Sequence, residues 1–234
     1  TGTGIQSDNV KASVNAVSST FSNNSGGGLM MTVVGSVWLD KITSTRNGGA
    51  GLAVLNLDPA TKASFTLLRS MVAGNSDGGV VLDSASAITL DGVMVESNGG
   101  SYGVLITNSG AFKPVVIRDR LGPMVIQRND GTGLYIQRVG AVTLSGLSAN
   151  NNLKAGVQVE NLDSKQSVNL SRVKVTGNGM SGGAVNTNGG VVMTDSQVDD
   201  NTVAGFYIQQ FTPTAAKPVT VLRSTFNHNR GGDG

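Results

Sequence analysis

The chain has 234 residues, 38% of them hydrophobic and 14% charged, with a net charge of +2 and no cysteine. This composition excludes disulfides and cysteine-based metal sites, and the charge is too small to imply a nucleic acid or an anionic membrane as partner. No apolar run reaches the roughly 18 residues of a membrane span, and the length suits one folded domain, 1–234, or one run of a longer repeat array.

Taken in order, the chain repeats one pattern: apolar residues stand ten, eight and three positions before an asparagine. The first copy ends at Asn24 with Val14, Ala16 and Phe21, and Ile5 and Val10 ahead of them are predicted to face inward too. The next ends at Asn47 with Val37, Leu39 and, in place of the third apolar residue, Ser44. Copies ending at Asn75 (Phe65, Leu67, Val72) and Asn98 (Ile88, Leu90, Val95) keep the pattern, and a distorted copy ends at Asn129. It resumes at Asn152 (Val142, Leu144, Ala149), Asn178 (Val168, Leu170, Val175), Asn201 (Val191, Met193, Val198) and Asn229 (Val219, Val221, Phe226). The spacings between asparagines are 23, 28, 23, 31, 23, 26, 23 and 28 residues.

Self-similarity at such a period marks a solenoid. The apolar residues recur every second position, so each copy holds strands, and a coil of about 23 residues leaves no room for a crossover helix. A glycine, usually four residues after the asparagine, opens another alternating run with inward pairs such as Leu29/Met31, Leu52/Val54 and Val80/Leu82. The predicted fold is all-β, a parallel β-helix of about nine coils stacked ~4.8 Å apart into a rod of roughly 40 Å. Glycine and asparagine are expected to supply left-handed corners, and the asparagine side chains to bond their own kind from coil to coil.

These nine copies resemble the right-handed parallel β-helix of the pectate-lyase-like superfold, over essentially the whole chain. The resemblance implies a three-sheet cross-section. The alternation of short and long coils is also similar to repeats of very large secreted bacterial surface proteins. The chain is therefore expected to be a segment of a longer extracellular or cell-surface protein.

The extra residues of the long coils fall at 56–62, 107–113, 160–165 and 209–217, and each loop ends in a lysine: Lys62, Lys113, Lys165 and Lys217. Arg69, Arg172 and Arg223 recur six residues before their asparagines. Solvated loop cations are one reading, and a spaced row for an acidic polysaccharide is the other. Residues 113–129 break the template around Arg118, Asp119, Arg120, Gly122 and Pro123, where a local ion pair is expected.

Enzymes of the resembled superfold place acids, an arginine or a calcium site on one sheet face. Asp199 and Asp200 are adjacent and would point to opposite sides of a strand, Asp40 and Asp91 lie two coils apart, and His228 is the only histidine. No catalytic, cofactor-binding or metal-binding residue is therefore assigned, and no cofactor is expected. One surface column stands out. Between the inward residues after each glycine, an outward position reads Met30, Ala53, Val81, Leu105, Tyr135, Gln158, Ala184 and Tyr207, whereas the column Thr66, Thr89, Thr143 and Thr220 is polar. A contiguous apolar strip marks a contact surface, for another β rod, a flanking segment of the polypeptide or a sugar ring. The sequence thus predicts a non-catalytic extracellular rod that self-associates end to end or laterally, with a polysaccharide-binding or polysaccharide-degrading protein as the alternative.

Overall fold

A computed structural model describes residues 2–56, 63–108, 112–211 and 217–231, the side chain of residue 9 apart. Among them every regular element is a strand, and the strands form three parallel sheets of nine. The first sheet runs from Ile5–Val10 to Phe206–Gln210, the second from Val14–Val17 to Val219–Leu222, and the third from Thr20–Ser22 to Thr225–Asn227. Each coil contributes one strand to each sheet, so every strand pairs with its equivalents in the coils before and after. Ile88, for example, lies between Phe65 and Val115, and Leu90 between Leu67 and Ile117.

Alternation makes this interior. In the strand Ala87–Asp91, Ile88 and Leu90 are fully buried while Ala87 and Thr89 between and beside them are half-buried. β-branched and leucine side chains fill one continuous core along the axis, which is why no coil could be stable by itself.

The asparagines form a ladder inside the third corner. The backbone N–H and side-chain Nδ2 of Asn75 both donate to Oδ1 of Asn98, at 3.0 and 2.9 Å, and Asn98 repeats this toward Asn129 at 3.1 and 3.0 Å. The second Nδ2 proton goes backwards, from Asn98 to the carbonyl of Val72 at 3.1 Å. The same bonds link Asn24, Asn47, Asn129, Asn152, Asn178, Asn201 and Asn229. A buried amide with four polar partners escapes the desolvation penalty that would otherwise exclude it from a core. Ser44, the one polar residue in its column, also joins this network: its hydroxyl donates to Gly51 O and accepts from Asn47 Nδ2.

The corners differ from the expectation. None of the ladder asparagines is left-handed; a left-handed residue stands one position before each, and another six positions before each except Asn129. The first column includes Asn23, Arg46, Gly74, Ser97, Arg128 and Asp200, and the second includes Lys41, Arg69, Gly92, Arg172, Asp195 and Arg223. Stacking holds these conformations although most side chains there are not glycine, as an over-determined backbone can. The glycines four residues beyond the asparagine serve close approach instead. A Cβ on Gly79 would lie 2.5 Å from Gly103 O and 2.9 Å from Asn98 Nδ2.

Two insertions of sequence leave the stacking intact. In the distorted copy, Val115–Arg118 and Met124–Gln127 stay in register with the coil before, and the extra turn folds back so that Leu121 N and Arg118 Nε bond the buried Asp91 at 2.8 and 2.7 Å. At the opposite corner, where the long-coil loops begin, Asn56, Asn108, Asn161 and Gln210 each donate to a carbonyl of the preceding short coil, at Gly35, Ser86, Gly140 and Gly189. This second set of struts, carried by the long coils, was not anticipated.

Two neighbouring substitutions should act in opposite directions. Asn98→Ala strands both donors of Asn75 and the Val72 carbonyl in the core, so denaturant unfolding is expected to show a loss of ~3 kcal/mol or more, at ~1 kcal/mol or more per unpaired buried group. Ser97→Gly relieves a left-handed Cβ at an exposed position and should gain roughly 0.5 kcal/mol, the ~1–2 kcal/mol conformational penalty less glycine's ~0.5–1 kcal/mol entropy.

Candidate functional site: the outer face of the first sheet

Parallel pairing places the outward column in one straight line. Met30 stacks on Ala53, Ala53 on Val81, Val81 on Leu105, Leu105 on Tyr135, Tyr135 on Gln158, Gln158 on Ala184, and Ala184 on Tyr207. Met30 and Tyr207 are exposed at 37 and 51%, and the residues between them are half-buried by one another. The neighbouring column reads Thr32, Leu55, Asp83, Thr107, Gln137, Glu160, Asn186 and Gln209. The apolar strip is therefore one residue wide for most of its length and broadens where Leu55 lies beside Ala53 and where the Tyr102 ring meets Tyr135.

Two depressions lie on this face. One of about 220 Å³ is lined by Met30, Ala53, Leu55 and Val81, with the carboxylates of Asp8 and Asp83 also on its walls. The other, about 390 Å³, is bounded by Tyr102, Tyr135, Lys154, Gln158 and Met180. Between them the rings of Tyr102 and Tyr135 stack at 5.0 Å with planes 12° apart. The hydroxyl of Tyr135 donates to Glu160 Oε2 at 2.5 Å while Gln158 donates to Oε1 at 2.8 Å. Burial, and secondarily that bond to a carboxylate, push the Tyr135 hydroxyl well above the ordinary phenol range. It is a fixed donor, and Glu160 is a fixed acceptor.

The charged residues of the corners pair along the rod. Arg69 grips the buried Asp40 with two bonds, Arg118 holds Asp91, Arg128 holds Glu96 at 2.5 Å, Arg172 holds Asp119 at 3.1 Å, and Arg223 holds Asp195. The local ion pair expected around Arg118, Asp119 and Arg120 is replaced by two pairs, Arg118 with Asp91 and Asp119 with Arg172, that reach to other coils. The arginine row is matched charge for charge, because a long-coil arginine at the left-handed corner points back at an acid of an earlier coil. Lys113, Lys165 and Lys217 are exposed at a different corner, and Lys62 lies outside the described residues. Asp199 is buried while Asp200 is exposed and left-handed, 3.8 Å from His228, so the two adjacent acids do not converge. Among the described residues no three histidine, aspartate or glutamate side chains gather as a metal site.

Sequence reasoning missed Tyr102, whose stacking partner lies 33 positions on, and Trp38. The latter is 47% exposed between Asn15 and Thr66, in a column of the second sheet that is polar apart from Trp38, Val116 and Val192. Its place nine residues before Asn47 was the available signal.

Compared with known proteins, the chain matches the family model described as a right-handed beta helix region over residues 1–119 and 124–234. The gap of four residues falls on the turn that covers Asp91. No curated protein and no solved structure matches.

The Arg69 guanidinium holds the Asp40 carboxyl below its ordinary value of 3.8, and Gln127 and Arg128 hold Glu96 below 4.5. Groups depressed in the folded state stabilise it above their unfolded values, and that contribution disappears as pH falls through the folded ones. The melting temperature should thus be level near neutrality and begin to fall below about pH 4.5. Asp40→Asn should flatten part of that acid limb in calorimetry or circular dichroism.

Proposed function

Because this chain belongs to the right-handed β-helix family, we propose that it is a non-catalytic extracellular rod of a bacterial surface or filament-forming protein, adhesin-like, that associates through its lateral face and its coil ends. The observation that carries this reading is the apolar column from Met30 to Tyr207, interrupted only by Gln158, on a scaffold where Arg69, Arg118 and Arg172 are each paired with a carboxylate of another coil. Association through such a strip buries area that water now covers, at ~25 cal/mol per Å² of apolar surface.

The ladder also has a direction. Each asparagine donates its N–H and one Nδ2 proton to the coil that follows. Whatever stacks beyond Asn229, another coil of the same polypeptide or a second copy added head to tail, must offer an acceptor there. Val219, Val221 and Phe226, inward by pattern, are 47, 43 and 43% exposed in this last coil.

A second reading has its own support. Stacked aromatic rings beside Lys154 and the Gln158 amide, in a depression of about 390 Å³, offer an apolar wall and polar groups suited to a saccharide. Fold alone assigns no activity.

The two readings part experimentally. Val81→Lys combined with Leu105→Lys places charges on the strip without touching the core. In sedimentation velocity it should weaken lateral association about tenfold or more, equivalent to ~1.4 kcal/mol, at an unchanged melting temperature. Association that persists undiminished removes the lateral face from the proposal. Retardation of the protein by acidic polysaccharide in affinity electrophoresis, lost in Tyr135→Ala, would favour the saccharide reading instead.

A further inference from the structure

The sequence contains four Asn-Gly pairs, at Asn47, Asn98, Asn178 and Asn188. Chemically this is the dipeptide most prone to deamidation. The nitrogen of the glycine attacks Cγ of the asparagine, a C–N bond forms as the N–H proton passes to base, and the Cγ–Nδ2 bond breaks to release ammonia. Water then opens the five-membered imide at either carbonyl, leaving aspartate or isoaspartate. The balance is amide plus water to acid plus ammonia, with no oxidant or cofactor.

We infer that Asn188 is a modification site of this kind, and that the other three pairs are held unreactive by the fold. Stacking dictates the glycine of each pair, and at the three ladder positions the asparagine as well. A Cβ on the glycine would lie 2.2 Å from Ser25 O at Gly48, 2.4 Å from Ser76 O at Gly99, 2.2 Å from Leu153 O at Gly179 and 1.8 Å from Gln166 O at Gly189. The architecture therefore creates the labile dipeptide and must also govern its fate.

At the three ladder positions both reacting groups are immobilised. Asn47, Asn98 and Asn178 are at most 1% exposed, and their amides bond to the coils on either side. The attacking nitrogens are tied as well: Gly48 N donates to Asn24 O at 2.8 Å, Gly99 N to Asn75 O at 2.7 Å and Gly179 N to Asn152 O at 2.9 Å. Attack would require breaking bonds between coils, hence local opening of the rod.

Asn188 lies at the turn after the strand Gly183–Thr187, at the opposite corner. Its side chain is half-exposed, with Nδ2 donating to Leu162 O. The decisive difference is Gly189 N, which donates to the Thr187 hydroxyl within its own turn, at 2.9 Å, rather than to another coil. That nitrogen can turn toward Cγ of Asn188 without giving up a bond of its own to another coil. Isoaspartate there lengthens the backbone by one methylene where Gly189 packs against Gln166, so conversion loosens this corner while the ladder persists.

The test is peptide mapping by mass spectrometry of the folded protein held in mildly alkaline buffer. The peptide carrying Asn188 should gain the mass of an amide-to-acid change and react with protein isoaspartate methyltransferase. Those carrying Asn47, Asn98 and Asn178 should convert on the order of a hundredfold more slowly, at the rate of local opening. In denaturant all four should convert at comparable rates, and Asn188→Gln should abolish the folded-state signal. Equal conversion of ladder and turn asparagines in the folded protein, or an inert Asn188 in a chain that deamidates when unfolded, overturns the inference.

Discussion

A single amide per coil governs how this rod is stacked. Between sheets the chain must turn without exposing its backbone, and each buried asparagine answers by binding the coil behind through a carbonyl and the coil ahead through another asparagine. An aspartate could not donate, an alanine could do neither, and a glutamine would reach too far for a corner this tight. Coil length is free elsewhere because the ladder accepts coils of 23 and 31 residues alike.

That freedom is used in alternation. Short coils are bare, while long coils carry loops, a strut amide such as Asn161 and an arginine such as Arg172 that reaches back toward an earlier coil. The left-handed corner beneath that arginine is a cost to the backbone, yet it aims the guanidinium along the axis rather than into solvent. The charge of those arginines is thereby matched within the rod. The face of the first sheet carries another kind of surface, where in-line pairing turns scattered small and aromatic side chains into a strip with two depressions.

The same stacking also decides chemical durability. A coil that needs asparagine for the ladder and a residue without Cβ beside it repeatedly writes a dipeptide that tends to degrade, and the hydrogen bonds that require the pair also silence it. A turn built on the same steric rule, whose glycine N–H is bonded within the turn, lacks that protection at the attacking nitrogen, as at Gly189.

The strands, the inward columns, the asparagine ladder and the outward strip were legible from residue order alone, because a strand's period of two and a repeat's fixed spacing are both properties of position along the chain. Even the irregular copy ending at Asn129 declared itself. Which residues turn the corners was not legible: a left-handed conformation leaves no requirement on composition once neighbours hold it, so Arg69, Ser97 and Asp195 occupy it as readily as glycine does. Nor were the pairings of Arg172 with Asp119 or of Tyr102 with Tyr135, since partners separated by 53 and 33 positions meet only when coils of unequal length are laid on one another. Sequence determined the repeat because burial follows periodicity, and tertiary structure decided the charges and the surface because their distances exist only after stacking.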